Sequence, residues 1–266
     1  DSSDTKIGGL TVESGKALFN SMYSVHLDGS GDYVNTATAL QGLIRTGFSI
    51  SMWCKPDDGD ADANRALLGS YEDSNNSVLV YQDSAGKLSF YLVTGGSAKY
   101  AVEENASFTD GAEVWHHVVV TCKYNSSSSS TMKLFVDGEE RVLNSTNNGA
   151  HGGNLTSYTS STALHLGRNN QSSSEYWYDG KIRDARIYDY PLNPNQVGAL
   201  FGNDLPSHPD HWYLLDGAAG QGVSQAFEDY GIGTDSDGAG VSLAGWVEGT
   251  LKVSGAFRIL TNGSLT

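Results

Sequence analysis

Cysteine, proline and cationic side chains are all scarce in this chain. It has 2 Cys and 5 Pro in 266 residues, and 16 Lys and Arg against 31 Asp and Glu. Two cysteines do not make the disulfide framework of a small secreted scaffold. Cys54 and Cys122 sit in strand-like stretches, MWCKP and VVVTCKY, and read as two buried thiols, with a single inter-strand bridge as the alternative. No histidine stands at a ligand spacing from either, which argues against a thiolate metal site. The deficit of positive charge leaves a formal net charge of −15. Such a surface repels phosphate backbones and excludes nucleic acid as a partner. No apolar run approaches the roughly 20 residues of a membrane-crossing helix, so no membrane insertion is expected. No secretory leader is visible. Because the chain starts at Asp1 rather than Met, an upstream segment is expected to have been removed or to precede this numbering.

Catalytic signatures are equally thin. Glycosidases need two carboxylates facing each other across a cleft, and no Glu-x-Asp-x-x-Glu string or close variant occurs. Glu103 and Glu104 are adjacent, which sends them to opposite faces of an extended chain. Glu139 and Glu140 follow a turn, and Glu113 and Glu175 lie in loops; all are read as solvated. There is no G-x-S-x-G elbow and no cysteine with a histidine partner. His116 and His117 open the strand WHHVVV and read as structural, one buried and one exposed.

What the chain has in quantity is glycine (32), tyrosine (14) and long Ser/Thr/Asn tracts. This composition favours many short strands joined by turns, enough for one large sandwich or two small domains. Phe48, Ile50 and Met52 alternate with Ser49 and Ser51, a strand period of two. Strands are expected at 17–20, 23–27, 66–71, 77–83, 87–94, 114–124, 132–136 and 163–167, with Asp83-Ser84-Ala85-Gly86 as a hairpin turn. Residues 144–161 read as the longest loop, and 193–201 as a helical turn with Pro194 at its start. Residues 1–16 form an N-terminal arm, 17–203 the main domain, and 204–266 a β-rich C-terminal extension opening on HWYLLD at 211–216.

The organising stretch is GKIRDARIYDY at 180–190, stopped by Pro191-Leu192-Asn193-Pro194. Its charges do not alternate cleanly with its apolar residues, so it is not a simple half-buried edge. Upstream lie VHLDGSGDYV (25–34), FSISMWCKP (48–56) and WHHVVVTCKYN…KLFVDG (115–138). In this order the pieces resemble the laminin-G-like, concanavalin A-like jelly-roll domains over residues 17–201. The resemblance implies an all-β fold, an antiparallel two-sheet jelly-roll sandwich. The tail resembles the W-x-x-x-D-G continuation seen in structural proteins of marine phages, and is expected to complete its own sandwich or to contact a neighbour.

The same resemblance supplies candidate sites. A structural calcium is expected on Asp28, Asp32 and Asp184, although Arg183 stands where the family usually has an Asp. The alternative is that Asp28 and Asp32 cap their own turn. Asp58-x-Asp60-x-Asp62 and Asp235-x-Asp237-Gly238 read as solvated loops, the first having Ala63 where an EF-hand needs glycine. Glycan binding needs an aromatic face and polar groups on rim loops, which Asn169, Asn170, Tyr176 and Trp177 offer. The implied function is a non-enzymatic lectin-like module binding polysaccharide at a virion surface or outside the cell, with capsid or fibre subunits and homo-oligomers as partners. The alternatives are a purely structural, self-assembling subunit and a glycoside hydrolase.

Overall fold

The computed structural model describes residues 10–13, 16–19, 23–44, 46–57, 63–108, 114–171, 176–202, 204, 208–213, 215, 226–227, 238–241 and 246–248. The acidic turns at 58–62 and 235–237, Glu113, Glu175 and most of the tail lie outside them. The described strands are β1 (Leu10–Glu13), β2 (Lys16–Phe19), β3 (Tyr23–Asp28), β4 (Tyr33–Ala39), β5 (Gly47–Pro56), β6 (Arg65–Asp73) and β7 (Asn76–Gln82). They continue with β8 (Leu88–Thr94), β9 (Ser97–Glu103), β10 (His116–Ser126), β11 (Ser129–Val136), β12 (Glu139–Glu140), β13 (Leu143–Asn148), β14 (Ala150–His151) and β15 (Ala163–Leu166). The last are β16 (Asp179–Tyr188), β17 (His211–Tyr213), β18 (Ala226–Phe227), β19 (Gly238–Val241) and β20 (Trp246–Glu248). One helix, α1 (Pro194–Phe201), follows β16.

β1 and β2 make a small ribbon of their own. The first sheet runs β12-β11-β10-β5-β16-β3-β20, with β14 on β11 and β17 on β16; the second runs β13-β9-β8-β7-β6-β15-β4-β19-β18. The ladders are antiparallel. This is the two-sheet sandwich expected from the sequence. Alternate residues face inward: Phe48, Ile50, Met52 and Cys54 of β5 meet Val78 and Val80 of β7 and Phe90 and Leu92 of β8 in one core. Phe48 and Phe90 join the sheets edge to face, centroids 6.0 Å apart.

Both cysteines are free and buried. The register places Cys54 opposite His116 and Cys122 opposite Phe48, so they lie apart on adjacent strands and cannot bridge. Burial pushes the Cys122 thiol up to about 12 and the Cys54 thiol further, which leaves both inert.

β16 explains its irregular charge pattern. Asp184 adopts a left-handed conformation at φ 53, and the ladder to β5 shifts register between Arg183 and Arg186. This β-bulge spends one residue without a partner. Strict alternation would bury one of two arginines spaced three apart; the bulge turns both Arg183, opposite Trp53, and Arg186, opposite Ser51, to the outer face. Ile182, Ala185 and Ile187 stay in the core.

Outside the first sheet lies α1. Asn193 caps it: its side chain accepts from Gln196 N at 3.0 Å, and Gln196 Oε1 accepts from Asn193 N at 2.9 Å. Val197 and Leu200 cover Val119, Phe135, Tyr188 and Leu192.

Three expectations change. The region 144–161 is no single loop: it contains β13, β14 and a short 3-10 turn at Leu155–Ser157, whose Leu155 reaches the core. His116 and His117 are both buried, because Asp137 takes His116 Nδ1 at 2.9 Å and Ser51 Oγ takes His117 Nε2 at 2.9 Å. Glu103 is fully buried rather than solvated, bonded to Leu88 N, Ser107 Oγ and Arg141 Nε.

The start of the tail packs on the sandwich. β17 pairs with residues 185–187 of β16, on the same edge that β3 occupies at 179–182. Tyr213 Oη crosses between the sheets to donate to Thr36 O at 2.8 Å.

Candidate functional site

The second sheet presents a row of tyrosines on its outer face. Val80, Phe90 and Ala101 point into the core, so the residues next to them, Tyr81 of β7, Tyr91 of β8 and Tyr100 of β9, point outward. Tyr91 and Tyr100 are direct cross-strand partners and stack with centroids 4.4 Å apart. Tyr81 stacks at 6.1 Å on Tyr176, which arrives on the segment before β16. Partial burial pushes the phenols up, Tyr81 to about 12, so all stay protonated and can both donate and accept.

Two of these rings, Tyr81 and Tyr100, line a cleft of about 450 Å³ with Val102, Asn144 and Asn147, and with Asp83, Ala85 and Lys87 at its side. The two charges are already engaged: Asp83 Oδ1 accepts from Ala85 N and Lys87 N, and Lys87 Nζ donates to Glu104 O at 2.8 Å. Asn144 Oδ1 accepts from Thr146 N and Asn147 N. That leaves Asn144 Nδ2, the Asn147 carboxamide and the phenols as the hydrogen-bonding groups of the lining. A half-exposed aromatic wall beside neutral amide and hydroxyl groups suits a hydroxyl-rich ring stacked on a tyrosine face.

The sequence placed the binding segment next to this cleft without finding most of it. Of the four candidates, Tyr176 joins the tyrosine row. Asn170 is a brace: its amide accepts from Tyr71 N at 2.7 Å and donates to Tyr71 O at 3.0 Å. Asn169 is buried, its backbone N bonded to Tyr176 O. Trp177 turns away, with the Arg168 guanidinium between it and Tyr33, 4.8 Å from each ring. Tyr81, Tyr91, Tyr100, Asn144 and Asn147 went unnoticed. Their signal was available: the tyrosines sit at outward positions of consecutive hairpin strands.

The expected calcium ligands do not converge. Asp28 Oδ1 accepts from Ser30 N at 2.9 Å and Asp32 Oδ2 lies 3.4 Å from Asp28 N, so both close their own turn. The residue of β16 opposite Asp28 is Asp179, not Asp184. Asp184 lies further along, taken by Arg186 Nε and Nη2 at 2.7 and 2.8 Å and by Trp212 Nε1 at 2.6 Å. Among the described residues no three His, Cys, Asp or Glu side chains gather as a metal would require. The three candidates therefore do not fit one shared ion.

Glu103 and Glu140, weighed in the sequence as possible acids, are both engaged. Glu103 is saturated by its partners, and burial, its largest influence, raises its pKa without giving it a cleft. Glu140 is bound to Lys133 on the surface.

The family follows from comparison. Residues 28–198 match the laminin-G-type family described as the Concanavalin A-like lectin/glucanases superfamily, and the chain belongs to it. No curated protein is detectably similar in sequence. Among solved structures, the chain is similar to the CBM40 domain of the Ruminococcus gnavus intramolecular trans-sialidase bound to α2,3 sialyllactose, at TM-score 0.51 and 16% identity over 67% of this chain and 96% of that one. A putative carbohydrate binding protein from Bacteroides ovatus matches at TM-score 0.53 and 16% identity, over 89% of this chain and 62% of that one. The leech intramolecular trans-sialidase matches at TM-score 0.51 and 15% identity, over 73% of this chain but only 29% of that one. At these identities the likeness establishes the fold.

Proposed function

We propose that this chain is a non-enzymatic glycan-binding module that holds polysaccharide against the tyrosine row of its second sheet, displayed on the outside of a virion or cell. The observation that carries the reading is the cleft itself: Tyr81 and Tyr100, each stacked on a further tyrosine, beside the amides of Asn144 and Asn147. Two of the similar structures are a sialyllactose-bound CBM40 and a putative carbohydrate binding protein, which agrees with this use of the fold. The strongly acidic surface and the absence of any long apolar helix among the described residues suit display in an aqueous setting.

The test is a polysaccharide panel read by calorimetry, with reducing-sugar release followed in parallel. Binding without hydrolysis is expected. Tyr81→Ala and Tyr100→Ala should each weaken it by roughly tenfold, since losing one aromatic stacking face costs on the order of 1 kcal/mol. Failure to bind any polysaccharide, or binding indifferent to both substitutions, rejects the cleft as the site. Reducing-sugar release abolished by one Glu→Gln change would make the protein a hydrolase instead.

A further inference from the structure

The first sheet carries a second feature on its opposite, outer face. Arg183 is 8% exposed. Its guanidinium carbon lies 4.2 Å from the Trp115 ring and 5.4 Å from the Trp53 ring. Nε and Nη1 are buried and have no hydrogen-bond partner. The adjacent carboxylate, Asp184, is committed to Arg186 and Trp212. Two tryptophan faces offset part of the cost of burying a cation, yet they satisfy none of its N–H donors. Unpaired buried donors of this kind are uncommon in folded proteins and call for an explanation. Burial also lowers the Arg183 pKa to about 10, with only Asp184 opposing.

The bulge in β16 holds this side chain on the outer face of the sheet. The aromatic wall beside it continues to the surface: Trp53 stacks on Phe201 at 5.8 Å, and Phe201 is 39% exposed.

We infer that Arg183, framed by Trp53 and Trp115, is a docking site for a carboxylate-bearing ligand on the outer face of the first sheet, separate from the tyrosine cleft. A guanidinium presents its donors in one plane, which matches the two oxygens of a carboxylate. Nε and Nη1 point from different edges, so the ligand's carboxylate accepts end-on from Nη1 and its neighbour Nη2, and the tryptophan faces exclude water around the pair.

Tryptophan fluorescence of the full chain tests this directly, because both flanking rings report on the site. The titrants are glucuronate, propionate and glucose at constant ionic strength. Glucuronate should give a saturable change that glucose does not. If propionate matches glucuronate, the carboxylate alone is recognised; if only glucuronate responds, the ligand is an acidic sugar. Arg183→Met keeps the apolar stem and should abolish the response in a chain that still melts cooperatively. Arg183→Lys keeps the charge without the planar fork and should weaken binding roughly tenfold. A glucose response equal to that of glucuronate, no saturable response to either acid, or a response that survives in Arg183→Met would overturn the site. Should Arg183→Met fail to fold, unchanged affinity in Arg183→Lys would overturn it equally. Polysaccharide binding through Tyr81 and Tyr100 is measured separately, so either assignment can fail alone.

Discussion

Asp184 ties the bulged strand to the start of the tail. It turns β16 at the bulge, neutralises buried Arg186, and accepts from Trp212 of the tail. Asp184→Ala would leave Arg186 buried without its partner, a loss of about 3–5 kcal/mol. Asp184→Asn keeps an acceptor and tolerates the left-handed conformation, so it should cost visibly less. Urea unfolding of the two variants decides this; equal midpoints for Ala, Asn and the parent would remove the ion pair from the stability account. The buried histidines set the acid limit. Burial, aided by nearby Arg186 and Arg168, lowers His117 from 6.5 to about 3 and His165 from 6.5 to about 4. Between those values and 6.5 the unfolded chain binds more protons than the folded one, so stability rises with pH across that window. Each histidine contributes up to about 1.4 kcal/mol per pH unit there. Glu103, raised by burial, works the other way just above the carboxylate range, and Asp137, held low by His116 and the His117 amide, adds to the loss below it. Urea midpoints should therefore fall steadily from pH 6.5 to 5, and His117→Gln should flatten the slope. A level profile would mean these rings are protonated in the fold. None of this was legible in the sequence, where WHHVVV marks a strand but not which neighbours desolvate it.

At the scale of elements the sequence was informative wherever local chemistry decides the outcome. The cap Asn193 and the helix start Pro194 are readable from residue type alone, and Asn193→Ala should cost about 1 kcal/mol in chemical denaturation. Alternation at Phe48, Ile50 and Met52 gave the strand and its inward face. Reading failed where partners distant in sequence decide. The polar run at 144–161 carries little strand propensity, yet β13 forms because the edge of β9 is there to pair with it. The bulge in β16 was visible only as a broken alternation. The pairing of β17 makes a further prediction. Ending the chain at Gly202 removes Trp212, Tyr213 and Leu215, which are buried to 8%, 0% and 2% exposure. That is on the order of 10 kcal/mol of apolar burial as an upper bound. It also strips part of one edge of β16. Size-exclusion chromatography should show aggregation of the shortened chain; a monodisperse, stable product would make β17 dispensable.

At the scale of the molecule, the sandwich has two different outer faces. One sheet shows tyrosines and amides; the other is covered by α1 and ends in the tryptophan-framed Arg183. The fold was legible because four motifs in order report a shared core. The cleft was not, because its residues come from β7, the turn after it, β9 and β13, and only sheet pairing assembles them. The hydroxyl of Tyr213 against Thr36 O has a consequence for how the chain is made. The two residues are separated by 177 positions, and β3 likewise finds its hydrogen-bonding partners only in β16 and β20. During synthesis at roughly 5–20 residues per second, the first strands of the sandwich wait on the order of ten seconds or more before their neighbours leave the ribosome. Throughout that interval their edges have no native ladder partner, so a nascent chain stalled before Tyr213 should be the form that most needs a chaperone.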